Sequence, residues 1–380
     1  MRRDLLPEFP ALEKYLYLNT ASIGLVPKRT IEAMVEFSER VMSDGAAFLD
    51  EEMEAEVFEG LRKALSKLLG CDTDEVAVFN SVTEALSSIA LALGRGGRIL
   101  STEVEFPSVV YPWVRIGKEK GWTVELVEAE DHLIDENEFL SKIKDGVRAV
   151  CISHVEFLTG QRFDLKAIAE RAHEVGALLI VDGIQAAGCI PVDVRELDVD
   201  VYIAGGYKWL LGPMGAAFAY VRNELLDELE PGIVGWRSVE DMWSLGIEIK
   251  YARGARKFEY GTSDYGSKVG LARSIEYLLE LGIDSIHEQD MRVSSEFMDE
   301  LSQLGELKIV TPGDRGRRGP IVTIEGRGLD RSLKREGSGR KLVVSIRRGL
   351  LRFSFHFYND EEDAMEAAER VKKAIRESKS

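Results

Sequence analysis

The chain has 380 residues, 45% hydrophobic and 30% charged, and its 66 acidic residues outweigh 49 basic ones to leave a formal net charge of −17. That much apolar material supports a substantial core, as two domains or as one large domain with a smaller appendage. An acidic surface repels phosphate backbones and anionic lipid, so no nucleic acid and no membrane is expected as a partner.

No apolar stretch reaches a bilayer span, and the opening MRRDLLPEFPALEKYLYLNT lacks the sustained apolar core of a signal peptide. A soluble, cytoplasmic protein is the expectation. Its cysteines, Cys71, Cys151 and Cys189, are widely spaced and form no C-x-x-C pair. They suggest neither a disulfide framework nor a metal site, and each reads as a small buried apolar residue.

The first β-rich run is EVAVFN (75–80), followed by a helical pattern in TEALSSIALAL (83–93). GRIL (97–100) precedes a helix near 108–120, and WTVELVE (122–128) one near 135–144. VRAVCIS (147–153) leads into the helical LKAIAERAHEVG (165–176), then ALLIVD (177–182), VDVYIAG (199–205) and GAAFAYV (215–221). Strands alternating with helices predict an α/β fold, a mostly parallel sheet flanked by helices. Ligands of such sheets bind at the carboxyl ends of the strands.

Beyond about residue 255 the texture changes to a small α+β arrangement. Helical patterns at 268–282 and 284–304 are followed by the β-like runs ELKIVT, GPIVTIE and KLVVSI, then RFSFHFYN and a helix from about 360. The expected division is an N-terminal segment 1–16, a large α/β domain 17–255 and a small C-terminal domain 256–380. The Gly/Arg-rich pieces GDRGRRGP (313–320) and GRGLDRSLKREGSGRK (326–341) read as exposed loops or turns.

Three strand ends carry candidate chemistry. In FNSVTEAL a helix begins, and its free N–H groups and partial positive charge suit a phosphate, with Ser81 or Thr83 adding a hydroxyl. Ser81-x-x-Glu84 reads equally as an ordinary capping box. Asp182 ends an apolar strand, three residues before Gln185. It either opens a turn or holds a carboxylate in a dry site against a cationic ring nitrogen. Lys208 is the one basic side chain in YIAGGYKWLLGPMG (202–215). Its head either reaches the surface or stays desolvated, with a lowered pKa that makes the amine a nucleophile toward carbonyls. Taken together the three are what pyridoxal 5'-phosphate requires: a Schiff-base lysine, a carboxylate for the pyridinium and a cradle for the phosphate.

This combination, and above all the run from His154 to Gly215, resembles the class V aminotransferase family of fold-type I pyridoxal-phosphate enzymes. That branch includes cysteine desulfurases, kynureninases and isopenicillin N epimerase-like proteins. The likeness extends from YLNTASIGLVP to LRFSFHFYN. It implies that Thr83 and the backbone of Val82 bind the phosphate, that Phe106 stacks on the ring, and that Asp182 pairs with the ring nitrogen. Gln185 would bond the ring hydroxyl, Lys208 would form the Schiff base, and Tyr207 stands where many members carry histidine. Thr262, in FEYGTSDY, would reach the phosphate of a neighbouring subunit, implying a homodimer with shared active sites. Arg352 would grip the α-carboxylate of a small amino-acid substrate.

The resemblance also has gaps. Gly205 stands where many relatives place a phosphate-binding serine, and Phe157 replaces an asparagine. No cysteine follows Cys189, so the usual desulfurase chemistry, which uses a mobile C-terminal cysteine, is not expected. Release of sulfide directly stays open. Some residues keep two readings: His154 beside the cofactor or simply buried, Trp236 packing or touching substrate, Arg347 and Arg348 as surface charge or a second anion contact. His356 is expected to pack. The expected activity is transamination first, β-lyase or desulfurase-like elimination second, then epimerisation, with a non-catalytic binding protein as the remaining class.

Overall fold

The apolar runs Val201–Gly205 and Ala217–Val221 show no alternation because every residue in them is buried, as happens where helices cover both faces of a sheet. The structure is a computed structural model and describes residues 5–94, 96–305, 307–326, 329 and 339–378. Its strands are β1 (Tyr15–Tyr17), β2 (Val76–Phe79), β3 (Gly97–Thr102), β4 (Trp122–Val127), β5 (Val147–Ser153) and β6 (Leu178–Asp182). They continue as β7 (Val201–Gly205), β8 (Ala217–Val221), β9 (Ile321–Glu325), β10 (Lys341–Val343), β11 (Ser345–Arg347) and β12 (Leu350–Ser354). A seven-stranded sheet has the order β2-β8-β7-β6-β5-β3-β4. It is parallel from β7 to β4, and β8 runs antiparallel to both its neighbours.

Alternate residues of each central strand feed opposite cores. Ile180, Val201 and Ile203 pack under the helices Val82–Ala92 and Pro107–Lys120. Leu179, Val181 and Tyr202 pack under Leu165–Glu174 on the other face. Two long helices that the alternation left unread, Lys28–Asp44 and Glu51–Leu69, precede the sheet. The second is capped by Asp50, whose carboxylate accepts from the Met53 amide at 2.9 Å. Helix Tyr265–Leu281, which the sequence reading counted with the C-terminal part, buries Leu271, Ile275 and Leu278 in the large sheet's core.

The C-terminal layer is a three-stranded antiparallel sheet, β11-β12-β9, packed with helices Ile283–Ser302 and Glu361–Ser378 around Phe297, Phe353 and Val371. KLVVSI is not one strand. It breaks at Val344, so that β10 pairs in parallel with β1 while β11 pairs with β12. Of ELKIVT, residues 307–311 give only an isolated bridge from Ile309 to Ile324. GDRGRRGP is not wholly exposed either: Arg318 is buried, donating to Ser294 Oγ at 3.0 Å and Ser295 Oγ at 2.6 Å. Of the second Gly/Arg-rich piece, residues 327–328 and 330–338 lie outside the described residues.

A buried ion pair fixes the segment leading to Thr262. Arg62 donates to Glu259 at 2.5 Å, and Glu259 also accepts from the Val78 amide at 3.0 Å. Removing one partner of such a pair strands the other charge. We expect Arg62→Met to cost about 3–5 kcal/mol of stability, measured by urea denaturation. A loss below about 1 kcal/mol would show the pair to be dispensable.

Candidate active site

Carboxyl ends of neighbouring strands supply the site: Phe106 beyond β3, Phe157 beyond β5, Asp182 at the end of β6, and Gly205 to Lys208 at the end of β7. The turn after Lys208 is held from several directions. The Gly24 amide donates to the Tyr207 carbonyl at 2.9 Å, and a Cβ on Gly24 would lie 2.1 Å from the Lys208 carbonyl, so only glycine fits there. Lys208 Nζ lies 6.0 Å from the Phe106 ring centroid and 5.8 Å from that of Tyr207. Among the described residues no carboxylate comes within 4.0 Å of it. Burial pulls its pKa down from 10.5 to about 8, against the attraction of Asp182 and with the help of Arg352 and Arg347. Lys208 is half-buried: its amine lines the cavity, desolvated by the packing around it but open to that space.

Asp182 is 2% exposed, and its described hydrogen bond comes from the Ile184 amide at 2.9 Å. Burial raises it to about 6, opposed by that amide and by Lys208. Gln185 accepts from the Trp209 indole at 2.8 Å and donates to the Ala21 carbonyl at 3.1 Å. An indole only donates and a carbonyl only accepts, so the amide orientation is fixed and one N–H is left over.

The helix Val82–Ala92 starts at the same cavity. Ser81 Oγ accepts from the Glu84 amide at 3.2 Å, so the cap is real. The Glu84 carboxylate, however, returns to the Asn80 amide at 3.1 Å. Thr83 Oγ1 bonds Ser108 Oγ at 2.8 Å, while the Val82 and Thr83 amides have no intrahelical acceptor. Asn80 Oδ1 accepts from a second buried amine, Lys268, at 2.7 Å, which also donates to the Gly215 carbonyl at 2.7 Å. Burial takes Lys268 to about 8. Sequence reasoning missed it; the signal was a lysine on the apolar face of KVGLARSIEYLLELG.

Lys208, Tyr207, Phe106, Phe157, Arg347 and Arg352 help to line a cavity of about 510 Å³ together with Ser81, Val82 and Gln185, whereas Asp182, Thr83 and Lys268 do not line it. Phe106 is 47% exposed and meets Phe157 edge-on, centroids 5.4 Å apart. Arg352 is buried and donates to Ser345 Oγ at 3.1 Å, the Phe157 carbonyl at 2.5 Å and Ser22 Oγ at 2.7 Å. Burial and Arg347 lower it to about 10. The turn that presents the Phe157 carbonyl is built by buried Glu156, which accepts from the Leu158 and Thr159 amides at 2.7 and 2.8 Å. Gly205 also lines the cavity, where a Cβ would press on Ile184 and Val82 at 3.2 Å.

Other candidates lie elsewhere. His154 is buried against the Tyr202 hydroxyl at 3.2 Å, is held neutral by burial at about 3, and borders a separate cavity with Arg162 and Asp164. Trp236 borders another, with Arg237 and Glu259. Thr262 is exposed and does not line the Lys208 cavity of its own chain. Arg347 faces the cavity, whereas exposed Arg348 sits in the β11–β12 turn at φ 49°.

His356 does more than pack. Its Nδ1 meets Asp290 at 2.9 Å and its Nε2 meets the Trp209 carbonyl at 3.1 Å. A carbonyl only accepts, so Nε2 carries a proton, and the contact with Asp290 holds one more. The C-terminal layer is thereby tied to the peptide that follows Lys208.

A model of the family Aminotransferase class-V matches residues 16–366. The chain belongs to the class-V aminotransferase family. A probable cysteine desulfurase of Aeropyrum pernix is 31% identical over 97% of this chain and 96% of its own length. The uncharacterized aminotransferase YcbU of Bacillus subtilis is 29% identical over 96% and 95%. Among solved structures, the apo cysteine desulfurase of Thermococcus onnurineus superposes with a TM-score of 0.88 at 24% identity, covering 98% of both chains. The cystine C–S lyase C-DES, solved with its product cysteine persulfide, gives 0.86 at 23%, over 96% of this chain and 98% of its own. Another C-DES structure holds a pyridoxal-phosphate cofactor with glycine covalently attached. The fold of this class-V chain is the expected fold type I.

The His356 link is testable. We expect His356→Leu, which strands Asp290, to cost about 3–5 kcal/mol at neutral pH in urea denaturation. The loss should shrink toward pH 5, because Asp290, already raised by burial to about 6, can then take up a proton. A pH-independent loss would point to packing alone.

Proposed function

We propose that this class-V chain is a pyridoxal 5'-phosphate-dependent transferase that moves the amino group of a small amino acid. The observation that carries this reading is Lys208: a half-buried, partly desolvated amine lining a cavity, without an ion-pair partner among the described residues, beside a half-exposed aromatic ring and within the field of a buried carboxylate. The residues fit the cofactor. Buried Asp182 has no described cation within 4.0 Å and suits a protonated ring nitrogen. The spare N–H of Gln185 suits the ring hydroxyl, the Val82 and Thr83 amides suit the phosphate, and the open face of Phe106 suits the ring.

Bound there, pyridoxal 5'-phosphate supplies an electron sink for a carbanion at the substrate Cα. Lys208 supplies the amine that holds the aldehyde, and afterwards a base positioned to carry the Cα proton. Asp182 keeps the ring nitrogen protonated, and Tyr207 flanks the amine. Arg352 spends three N–H groups on the protein and keeps two for an α-carboxylate, which orients Cα toward Lys208.

A β-lyase or desulfurase-like reading is second, supported by relatives named for such activities. Against a persulfide-carrying enzyme, Cys151 and Cys189 are buried and Cys71 lies far from the hairpin of Arg352 in sequence. Epimerisation shares the first proton abstraction and ranks behind. A non-catalytic scaffold would have no physical need for a desolvated lysine.

The same reading includes a homodimer with shared sites. Trp243, Leu245 and Ile247 are 77%, 101% and 104% exposed, and helix Lys28–Asp44 leaves Ile31, Val35 and Met42 exposed while burying only Thr30. Apolar surface on this scale fits a second copy of the chain, to whose phosphate the exposed Thr262 would reach. Among the described residues no helix is long and apolar enough to cross a membrane. A cytoplasmic location, without nucleic-acid or membrane partners, is proposed on charge alone.

Two measurements test the reading. Cofactor-free protein mixed with pyridoxal 5'-phosphate should acquire a visible band that borohydride bleaches, and Lys208→Ala should not. Because protonated lysine cannot attack, the attachment rate should rise with pH through about 8 rather than the 10.5 of an ordinary lysine. A midpoint near 10 would refute the desolvated amine. Product analysis then separates the reactions. An oxoacid with amine transferred to a second oxoacid supports transamination, and pyruvate with a released thiol or sulfide overturns it in favour of the lyase.

A further inference from the structure

Among the described residues three cations line the Lys208 cavity and no carboxylate does: Lys208, Arg347 and Arg352, in a chain with 66 acidic and 49 basic residues. On the reading above, on which this inference rests, Lys208 takes the cofactor's aldehyde and Arg352 takes an α-carboxylate. Arg347 is left over.

Its placement follows from the hairpin. β11 and β12 pair antiparallel with Ser345 opposite Arg352 and Arg347 opposite Leu350. Directly paired residues share a face, and so do residues two apart. Arg347 and Arg352 therefore stand on one face as diagonal neighbours, about 7–8 Å apart at the backbone. The two guanidinium groups differ in what holds them. Arg352 is buried and tied by its three hydrogen bonds. Arg347 is exposed, its hydrogen bond goes to the adjacent Ile346 carbonyl at 3.4 Å, and no described carboxylate lies within 4.0 Å of it. Its charge acts unfavourably on both Lys208 and Arg352. An anion between the two arginines would relieve that repulsion; Glu156 attracts Arg352, but no described carboxylate lines the cavity.

We propose that the substrate is an amino acid with a second anionic group on its side chain, its α-carboxylate on Arg352 and its distal anion on Arg347. Amide and acid pairs of the same shape isolate the charge. The holoprotein is titrated with aspartate, asparagine, glutamate and glutamine while the cofactor's absorbance is followed.

The acids should bind at least tenfold more tightly than their amides, and added salt should erode the difference. Arg347→Met should bring the ratio to within about twofold, a loss of at least about 1 kcal/mol of discrimination. Arg347→Lys should keep most of it, since the charge remains. Equal binding of acid and amide overturns the proposal, as does no response to any of the four by protein that carries the cofactor band. A variant that weakens acids and amides alike also overturns it, because Arg347 would then serve the α-carboxylate or the fold. So does a variant that binds the cofactor itself less well, because Arg347 would then serve the phosphate. Protein that never forms the band fails the underlying reading first, and the inference falls with it.

Discussion

An amine partly desolvated with no carboxylate in ion-pair reach among the described residues is costly, and the surroundings of Lys208 are arranged around that cost. Burial disfavours its charged form and lowers the pKa to about 8. Burial also disfavours the charged form of Asp182 and raises it to about 6. The pair is close enough for each to feel the other, yet outside ion-pair distance. A direct salt bridge would have restored both charges and removed the nucleophile. Relative to the unfolded chain, the Lys208 penalty applies below about pH 8 and fades as pH rises toward 10.5, while the Asp182 penalty applies above about pH 6 and is gone below 3.8. Between roughly pH 6 and 8 both are in force, the amine's alone on the order of 3 kcal/mol. A ligand that brings a cationic ring nitrogen to one group and an aldehyde to the other relieves both, which is why that ligand class fits better than any other.

The amine is positioned by parts of the chain far from it in sequence. Gly24 bonds the Tyr207 carbonyl, and His356 bonds the Trp209 carbonyl. Trp209 in turn fixes the Gln185 amide, which is also held by Ala21. Arg352 reaches across to Ser22 and Phe157. The N-terminal segment and the C-terminal layer thus clamp the strand ends from two sides. A shift of the C-terminal layer would move Arg352 and, through His356, the peptide beside Lys208 together, coupling the guanidinium to the position of the amine.

Periodicity and strand-end chemistry made much of this legible. The alternation of apolar runs and helical patterns gives the sheet, and Lys208 and Asp182 stand out at strand ends, whereas Arg352 and the part given to Gln185 came only with the family resemblance. What was not legible depends on distant partners. His356 lies just past the end of β12, in a turn closed by the Asn359 amide on its carbonyl at 2.7 Å, so the alternation before it suggested packing. Its hydrogen-bond partners are 66 and 147 residues away. Arg318 sits in a segment whose composition says loop, yet two serines of a distant helix bury it. KLVVSI reads as one strand because nothing local records that its halves pair with different sheets. The exposure of Thr262 and of Trp243, Leu245 and Ile247 belongs to the folded surface, and nothing local in their sequence records it.

The sulfur chemistry of the relatives sets the sharpest constraint on what this site does. A persulfide carrier needs a thiolate that can reach the substrate. Cys189 is buried with its Sγ directed at the carbonyls of Gln185 and Ala186, and Cys151 is buried with its Sγ on the Val109 carbonyl. Burial pushes both thiols well up, and Cys71 to about 12. None lines the Lys208 cavity. Any carbon–sulfur cleavage here would have to release its sulfur product to solution or to a small acceptor. Transamination makes no such demand: it needs one base at Cα, one grip on the α-carboxylate and one carboxylate for the ring nitrogen, roles that on the proposed reading Lys208, Arg352 and Asp182 would fill. On the same reading, the excess positive charge at the cavity would bear on which amino acid enters rather than on how its bonds break.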